Sequence, residues 1–385
     1  MARLGDICYK ITDGSHNPPV GVAYSEFLML SSKNIYDDCI TFDDPRYLCR
    51  EEFEIENKRT QIKAGDILLT IVGTVGRVAV VPEDIKNICL QRSVAVIKPK
   101  IDIVLPRFLM YQIQSMKKLL DKEAKGVAQK GIYLKQVENI SVKVLGLDIQ
   151  EKIVSRLDKV NTLIFFRKQQ LSKLDELVKS RFIEMFGDES KYQSTPLNES
   201  VKEMFIGPFG SSLKNECFVS KENGYCVVYE QKHAIRKTMD VDTRYVDEKK
   251  YTELQRFTIQ AGDIIVSCRG TIGETFVVPN GAPMGIMHPS IMKIRLKESA
   301  YNKVFFNHLL IKVLKQHEAE ANGSGIKMAI TATELGKELF IVPPMDLQQQ
   351  FAAFVEQIDK SKFEIQKSLE KLETLKKALM QKYFG

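Results

Sequence analysis

Residues 62–83, IKAGDILLTIVGTVGRVAVVPE, return 197 positions later as IQAGDIIVSCRGTIGETFVVPN at 259–280, with half of the aligned positions identical. Ala-Gly-Asp, Gly-Thr-x-Gly and Val-Val-Pro are among the shared residues. A second pair lies at nearly the same offset: Asp148–Gly187 and Asp346–Gly385 each begin Asp-x-Gln, continue as a long charged and apolar segment, and end Phe-Gly. Such a period far exceeds the roughly 20–50 residues of a solenoid repeat. The chain reads as a duplicated half-protein with a pseudo-twofold arrangement, each half a compact segment followed by a long helix. Two similar modules in one chain imply a target with two similar places to be touched.

Length and composition exclude several classes. A chain of 385 residues, 44% hydrophobic and 27% charged, holds two or three ordinary folded domains. Its net charge of +7 permits a polyanionic partner without requiring one. Seven cysteines, an odd number with no Cys-x-x-Cys pair, argue against a disulfide framework or a structural zinc site, and fit a reducing cytosol. The opening MARLGDICYK lacks the charged and apolar blocks of a signal peptide. The most apolar stretch, Ile67–Val81, is broken by Gly73, Gly76 and Arg77, and so reads as sheet and not as a membrane span. A soluble, cytoplasmic protein with no membrane partner is expected.

The first compact segment spans 1–147. Leu68–Val72 and Val78–Val81 are β-branched runs bounded by Gly, Pro and Asp, and predict buried strands around a Gly73-Thr74-Val75-Gly76 turn. Phe108–Lys122 has helical spacing, with Pro106 just ahead of it. The second segment, 188–344, repeats the plan, with strands near 264–267 and 275–278 and a helix near 304–316. Strands and helices mixed without a strict βαβ rhythm predict an α+β class.

The connecting segments 148–187 and 345–385 carry a heptad stripe. Steps of four and three from Ile153 reach Leu157, Val160, Ile164, Arg167, Leu171, Leu174, Val178, Arg181 and Met185, of which all but the two arginines are apolar. Adding 198 gives Phe351, Val355, Ile358, Lys362, Ile365, Leu369, Leu372, Lys376, Leu379 and Tyr383, apolar at all but the two lysines. A stripe held this long predicts a coiled coil. A duplicated unit with a pseudo-twofold axis pairs its two helices antiparallel, as a spacer between two globular modules. The alternative is a long helix lying on a globular core.

Catalytic constellations are thin. There is no Gly-x4-Gly-Lys-[Ser/Thr] phosphate loop, which argues against ATP hydrolysis in this chain. Asn17-Pro18-Pro19-Val20 is like the loop with which adenine methyltransferases grip a flipped base, yet Val20 replaces the aromatic residue and no glycine-rich methyl-donor loop accompanies it. Asp84-Ile85-Lys86 has no Pro-Asp partner from a nuclease metal motif and reads as a surface turn. His16, His233, His288, His308 and His317 lack metal-ligand spacing.

Instead, the loops are rich in groups suited to base edges and phosphates. In the first segment these are Ser15 and His16, Lys33 and Asn34, Arg77, Gln91 and Arg92, and Gln129 and Lys130. In the second they are Ser211, Ser212 and Lys214, then Gln231, Lys232 and His233, then Arg269, His288 and Lys327. Arg and Lys donate to guanine, Asn and Gln pair with adenine, and hydroxyls and glycine amides cradle phosphate. Polar loops are also what ordinary solvated surfaces carry.

At these loops the chain resembles a known family. Ile11-Thr12-Asp13-Gly14-Ser15-His16-Asn17-Pro18-Pro19 is similar to one common opening of a target recognition domain, and Gly207-Pro208-Phe209-Gly210-Ser211-Ser212-Leu213-Lys214 to another. With the duplicated Ala-Gly-Asp-Ile, Gly-Thr-x-Gly and Asp-x-Gln motifs, the whole chain resembles the specificity subunit of Type I restriction–modification enzymes. The resemblance implies target recognition domains at 1–147 and 188–344, and spacer helices at 148–187 and 345–385. It implies a subunit without catalysis that reads a split, asymmetric site in double-stranded DNA. The helices would set the gap and dock modification subunits that methylate adenine with S-adenosylmethionine. Motor-nuclease restriction subunits, using ATP and Mg²⁺, would join them. Leu147-Asp148-Ile149-Gln150 lacks the prolines usual in the family before this glutamine, whereas Val342-Pro343-Pro344-Met345 keeps them. Two other readings stay open: recognition modules of a cryptic nuclease or methyltransferase, and a two-headed DNA-binding regulator acting alone.

Overall fold

The computed structural model describes residues 1–124, 131–268, 271–297, 299–321 and 331–385. The chain divides into two compact units, the first made of 1–169 with 366–385 and the second of 170–365.

The first unit is built on β1 (Cys8–Asp13), β2 (Phe27–Leu30), β3 (Arg46–Leu48), β4 (Ile67–Thr70), β5 (Val78–Val80), β6 (Ile88–Leu90) and β7 (Val94–Pro99). An antiparallel sheet runs β1-β7-β4-β5, and a smaller one runs β3-β2-β6 with β2 and β6 parallel. The central strands are buried on both faces, which is why they read as unbroken apolar runs. Ile67, Leu69 and Ile97 face a core shared with Phe108 and Tyr111 of a helix at Pro106–Ser115; Leu68, Val94 and Val96 face Leu30 and Leu90 of the smaller sheet. Helix α1 (Arg50–Thr60) covers the smaller sheet; the Pro106–Ser115 helix is α2.

A 40-residue helix, α3 (Leu147–Phe186), passes from the first unit into the second. There β8 (Val201–Ile206), β9 (Cys226–Tyr229), β10 (Tyr245–Val246), β11 (Thr258–Ile259), β12 (Ile264–Ser267), β13 (Thr275–Val277), β14 (Gly285–Met287) and β15 (Ile291–Leu296) repeat the plan. The antiparallel order is β8-β15-β12-β13, and β9 and β14 are parallel in a sheet ordered β10-β9-β14-β11. Helices α4 (Lys303–Ala321) and α5 (Met345–Phe384) complete the chain. The α+β class and the duplication are both seen in the fold.

The repeated motifs have structural reasons. In Ala-Gly-Asp the glycines Gly65 and Gly262 both sit at φ +86°, a left-handed turn that disfavours side chains. Asp66 and Asp263 then accept the backbone N–H of Lys63 and Gln260, each at 2.8 Å, and pair with a cation across the sheet: Lys98 with Asp66, and Arg295 with Asp263 at 2.7 Å. In the Gly-Thr-x-Gly turn, the hydroxyls of Thr70 and Ser267 accept from Arg77 N–H at 2.9 Å and Glu274 N–H at 3.0 Å. They donate to the carbonyls of Thr74 and Thr271 at 2.5 and 2.6 Å.

The Asp-x-Gln glutamines are buried staples. Gln150 accepts from Leu105 N–H at 2.8 Å and donates to the Ile103 and Leu145 carbonyls at 2.9 and 2.7 Å. Gln348 accepts from Asn302 N–H at 2.9 Å and donates to the Pro343 carbonyl at 2.8 Å. Each fastens the start of a long helix to the loop ahead of the shorter one. Gln348→Leu leaves a buried donor and acceptor unpaired at roughly 1–3 kcal/mol each. A drop in the urea midpoint of the second unit is the expected result, and an unchanged midpoint would show the staple to be dispensable.

The heptad stripe is buried or half-buried throughout, including Ile153, Leu157, Val160, Leu171, Leu174, Phe351, Val355, Ile358, Leu369 and Leu372. In the first unit α3 meets the end of α5, with Arg156 on Tyr383 at 3.0 Å and Lys168 on Glu373 at 3.5 Å. In the second, Asp175 meets Lys362 at 2.6 Å and Phe182 meets Phe351 at 5.4 Å between ring centres. As one number rises the other falls, so the pairing is antiparallel. The helices also pack on the globular cores: Ile153 and Leu157 join the core of α2, while Phe351, Val355 and Ile358 join that of α4. The two readings of the stripe are both realised. Each Phe-Gly tip closes a core. Phe186 packs on Phe305 and Phe351 in the second unit, and Phe384 packs on Phe108 in the first.

His308 of α4 lies beside the rings of Phe182 and Phe351. Burial, reinforced by Lys237 and Lys362, lowers its pKa to about 4. The folded state therefore holds it neutral while the unfolded chain protonates it near the ordinary 6.5 or so. Its contribution is complete above that value and is lost as pH falls from there towards 4, by up to about 3 kcal/mol. His308→Leu is expected to flatten the stability of the second unit across that window, measured by urea unfolding at each pH.

Candidate nucleic-acid interface

Four loops of the first unit are tied together at one end of the main sheet. Ser15 donates its N–H to Leu90 O at 2.7 Å and accepts from Arg92 N–H at 2.8 Å. Gln91 N–H donates to Leu30 O at 2.9 Å, and Ser93 Oγ accepts from Ser32 N–H at 3.0 Å. Ser93 O receives Ile71 N–H at 2.9 Å, bringing in the Gly-Thr-x-Gly turn. Gly14 is required here because a Cβ would lie 2.0 Å from Leu90 O.

The second unit builds the same frame. Gly207 donates to Ile291 O at 2.9 Å, and a Cβ on it would lie 2.3 Å from His288 O. His288 N–H donates to Tyr229 O and Cys268 N–H to Ser290 O, at 2.9 and 2.8 Å. These bonds equate Gly14 with Gly207, Gln91 with His288, and Ser31–Asn34 with Glu230–His233. In both copies the last of those segments is a capping box, closed by Asn34 Oδ1 on Ser31 N–H and by His233 Nδ1 on Glu230 N–H, each at 3.0 Å.

This corrects two expected base readers. Asn34 is fully buried, with its amide also donating to Asp43 O at 3.0 Å. His233 is fully buried against Tyr229, and burial lowers its pKa. Both hold the frame, and neither faces solvent.

The other expected residues, where they are described, lie as follows. His16 is half exposed, with its Nε2 at 2.9 Å from Asp13, which also pairs with Arg59. Lys33 pairs with Asp44 at 2.5 Å, Arg77 stacks on Tyr36 at 4.6 Å, and Arg92 is exposed with Gln91 half-buried beside it. In the second unit Ser211 and Ser212 form a short 3-10 turn and Lys214 is exposed. Lys232 pairs with Glu230 at 2.7 Å, Gln231 is half-buried, and His288 Nδ1 lies 2.7 Å from Ser290 Oγ. Gln129, Lys130, Arg269 and Lys327 lie outside the described residues. Reading the loops for polar residues passed over Phe209, which is 87% exposed on the rim of the second unit. An aromatic set between Pro208 and Gly210, with no apolar neighbour in sequence until Leu213, was the signal for it.

Among the described residues no group of three His, Cys, Asp or Glu is placed to hold a metal ion. Burial pushes the thiols of Cys8 and Cys89 up to about 12, which makes them inert at neutral pH. Among the described residues no helix is long and apolar enough to cross a membrane.

The model of the Type I restriction modification DNA specificity domain matches residues 40–176 and again 200–377. The Type I restriction enzyme EcoBI specificity subunit of Escherichia coli is 32% identical over 145 residues, covering 36% of this chain and 30% of that protein. The chain thus matches under a third of that relative's length. In fold, it is similar to the S subunit of a Type I restriction–modification system from M. genitalium, with a TM-score of 0.56 at 14% identity over 100% of this chain and 95% of that one. A second structure, described as showing complex assembly and conformational transition of the type I R-M system, gives a TM-score of 0.56 at 16% identity over 100% and 96%. With the domain matched once in each half and over most of its length, the chain belongs to the Type I restriction–modification DNA specificity family.

Proposed function

We propose that this chain reads a bipartite, asymmetric DNA site, one half with each unit, and has no catalytic activity of its own. The observation that carries this reading is the pair of rims: one backbone frame, built twice, that presents different side chains each time. A conserved frame fixes where a duplex is met, and different side chains give different half-sites. Arg92 and Lys214 are both exposed, and in this reading they reach phosphates or guanine edges.

The paired helices support a docking role as well. Phe165 and Leu177 on α3 are exposed, and so are Phe363 and Leu375 at the equivalent points of α5. Each unit carries one Phe and one Leu of this set, as two copies of one partner would require. Modification subunits and motor-nuclease subunits are the partners proposed, with S-adenosylmethionine, ATP and Mg²⁺ bound by them and not by this chain.

The test is selection of duplexes from a randomised library by wild-type and variant protein. Arg92→Ala should relax or weaken one half-site and Lys214→Ala the other. A lost base contact costs roughly 1–3 kcal/mol, and a lost phosphate contact weakens all sequences alike and lowers the salt slope. Substitutions that weaken both half-sites equally without altering preference would sink direct reading. The purified chain alone is expected neither to methylate DNA nor to hydrolyse ATP, and turnover in a partner-free preparation would overturn the non-catalytic part.

A further inference from the structure

We infer that the position two residues after the close-approach glycine is the same specificity position in both units, held by His16 in the first and Phe209 in the second. Phe209 there takes the 5-methyl group of a thymine. The inference rests on the DNA-reading function proposed above and names one of its contacts.

The equivalence comes from backbone pairing. Gly14 and Gly207 end matching edge strands and donate to Val94 O and Ile291 O, which occupy the same place on β7 and β15. Each has its would-be Cβ met by the carbonyl of the loop ahead of that strand, Gln91 O at 2.6 Å in one case and His288 O at 2.3 Å in the other. Both chains therefore leave the sheet at one fixed point. From there they differ for a chemical reason. Ser15 donates its N–H back to Leu90 O at 2.7 Å, so the first loop stays against the frame and His16 turns onto Asp13. Pro208 has no N–H to donate and is itself buried, and Phe209 after it is left 87% exposed.

Among the described residues, Phe209 packs in no core cluster of the second unit. Its loop is anchored on both sides, by Gly207 N–H on Ile291 O at 2.9 Å and by Ser212 N–H on Phe209 O at 2.9 Å. Ser211, Ser212 and Lys214 follow within five residues, so hydroxyl and ammonium donors flank one apolar ring. In a major groove that set matches a thymine beside phosphates, because an apolar side chain recognises the methyl group that only thymine presents. The imidazole of His16 at the same point offers a hydrogen bond instead, so the two half-sites should differ at the base each one meets.

The experiment uses the full chain with whatever subunits co-purify from its host. Selection from randomised duplexes defines the wild-type site, and Phe209→Ala and Phe209→His are then compared on it. Phe209 is exposed, so both variants should fold as wild type, checked by thermal melting. Phe209→Ala is expected to lose about ten-fold in affinity and to lose preference at one thymine of one half-site. Replacing that thymine by deoxyuridine should cost wild type about four-fold and the Ala variant nothing further. Unchanged affinity and preference in Phe209→Ala, or insensitivity of wild type to every deoxyuridine, would overturn the inference while leaving two-unit reading intact. Increased 2-aminopurine fluorescence on binding would also overturn it, by showing insertion between bases and not a groove contact. Failure of wild type to select any site would remove both this inference and the reading beneath it.

Discussion

Deleting residues 366–385 is expected to unfold the first unit and leave the second folded. Those twenty residues carry Leu379, Met380, Tyr383 and Phe384, all packed into the core formed by Phe108, Leu109 and the main sheet of the first unit. Lys143 also donates to the carbonyls of Gly385 and Tyr383, at 3.0 and 3.3 Å. Exposing a buried large apolar side chain costs about 1.5–3 kcal/mol, so losing this group removes an amount comparable to the roughly 5–15 kcal/mol stability of a whole domain. Hydrogen exchange should show β4 and β7 losing protection while β12 and β15 keep theirs. A graded version is Phe384→Ala, for which about 3–5 kcal/mol is expected in the first unit alone. Equal loss in both units, or none in the first, would contradict the assignment of this tip.

Lengthening the helix pair is expected to change the unspecified gap between half-sites and not the half-sites themselves. Each unit holds a part of α3 and a part of α5, so four residues inserted after Leu171 alone would throw the antiparallel pair out of register by about 6 Å. A matched insertion is needed, after Leu171 and after Leu369, which lie in sequence between the residues paired as Lys168–Glu373 and Asp175–Lys362. That change adds about 6 Å to each helix, or about two base pairs at 3.4 Å each, and turns one end by about 40°. Duplex selection should return both original half-sites with one or two more unspecified base pairs between them. Altered half-sites with an unchanged gap would leave the helices as a docking surface only.

How far the sequence revealed this molecule depended on whether a residue's reason was local. Ala-Gly-Asp is legible because a glycine with positive φ and an aspartate capping its own turn are short-range requirements, and they recur 197 residues apart. The heptad stripe is legible because helix periodicity is local too. It did not show that the stripe serves two neighbours at once, the other helix and a globular core, since both demand the same apolar residues. Asn34 and His233 were misread because a polar side chain that caps a buried turn has the same composition as one that faces a base. Phe209 escaped for a different reason. The spacing from Gly14 to Gly207 is 193 residues and not 197, so the openings of the two units align only through strand pairing.

The crossing of the two helix tips also bears on the order in which the chain can acquire structure during synthesis. The second unit is one unbroken stretch, 170–365, whereas the first needs both 1–169 and 366–385. The half made first on the ribosome must therefore wait for residues 366–385 to emerge, with the apolar seat for Phe384 open until then. The half made second can close before that. Translation runs from the amino terminus, but completion of the cores runs the other way, and the exposed seat in the first half is where a chaperone or protease would meet the nascent chain.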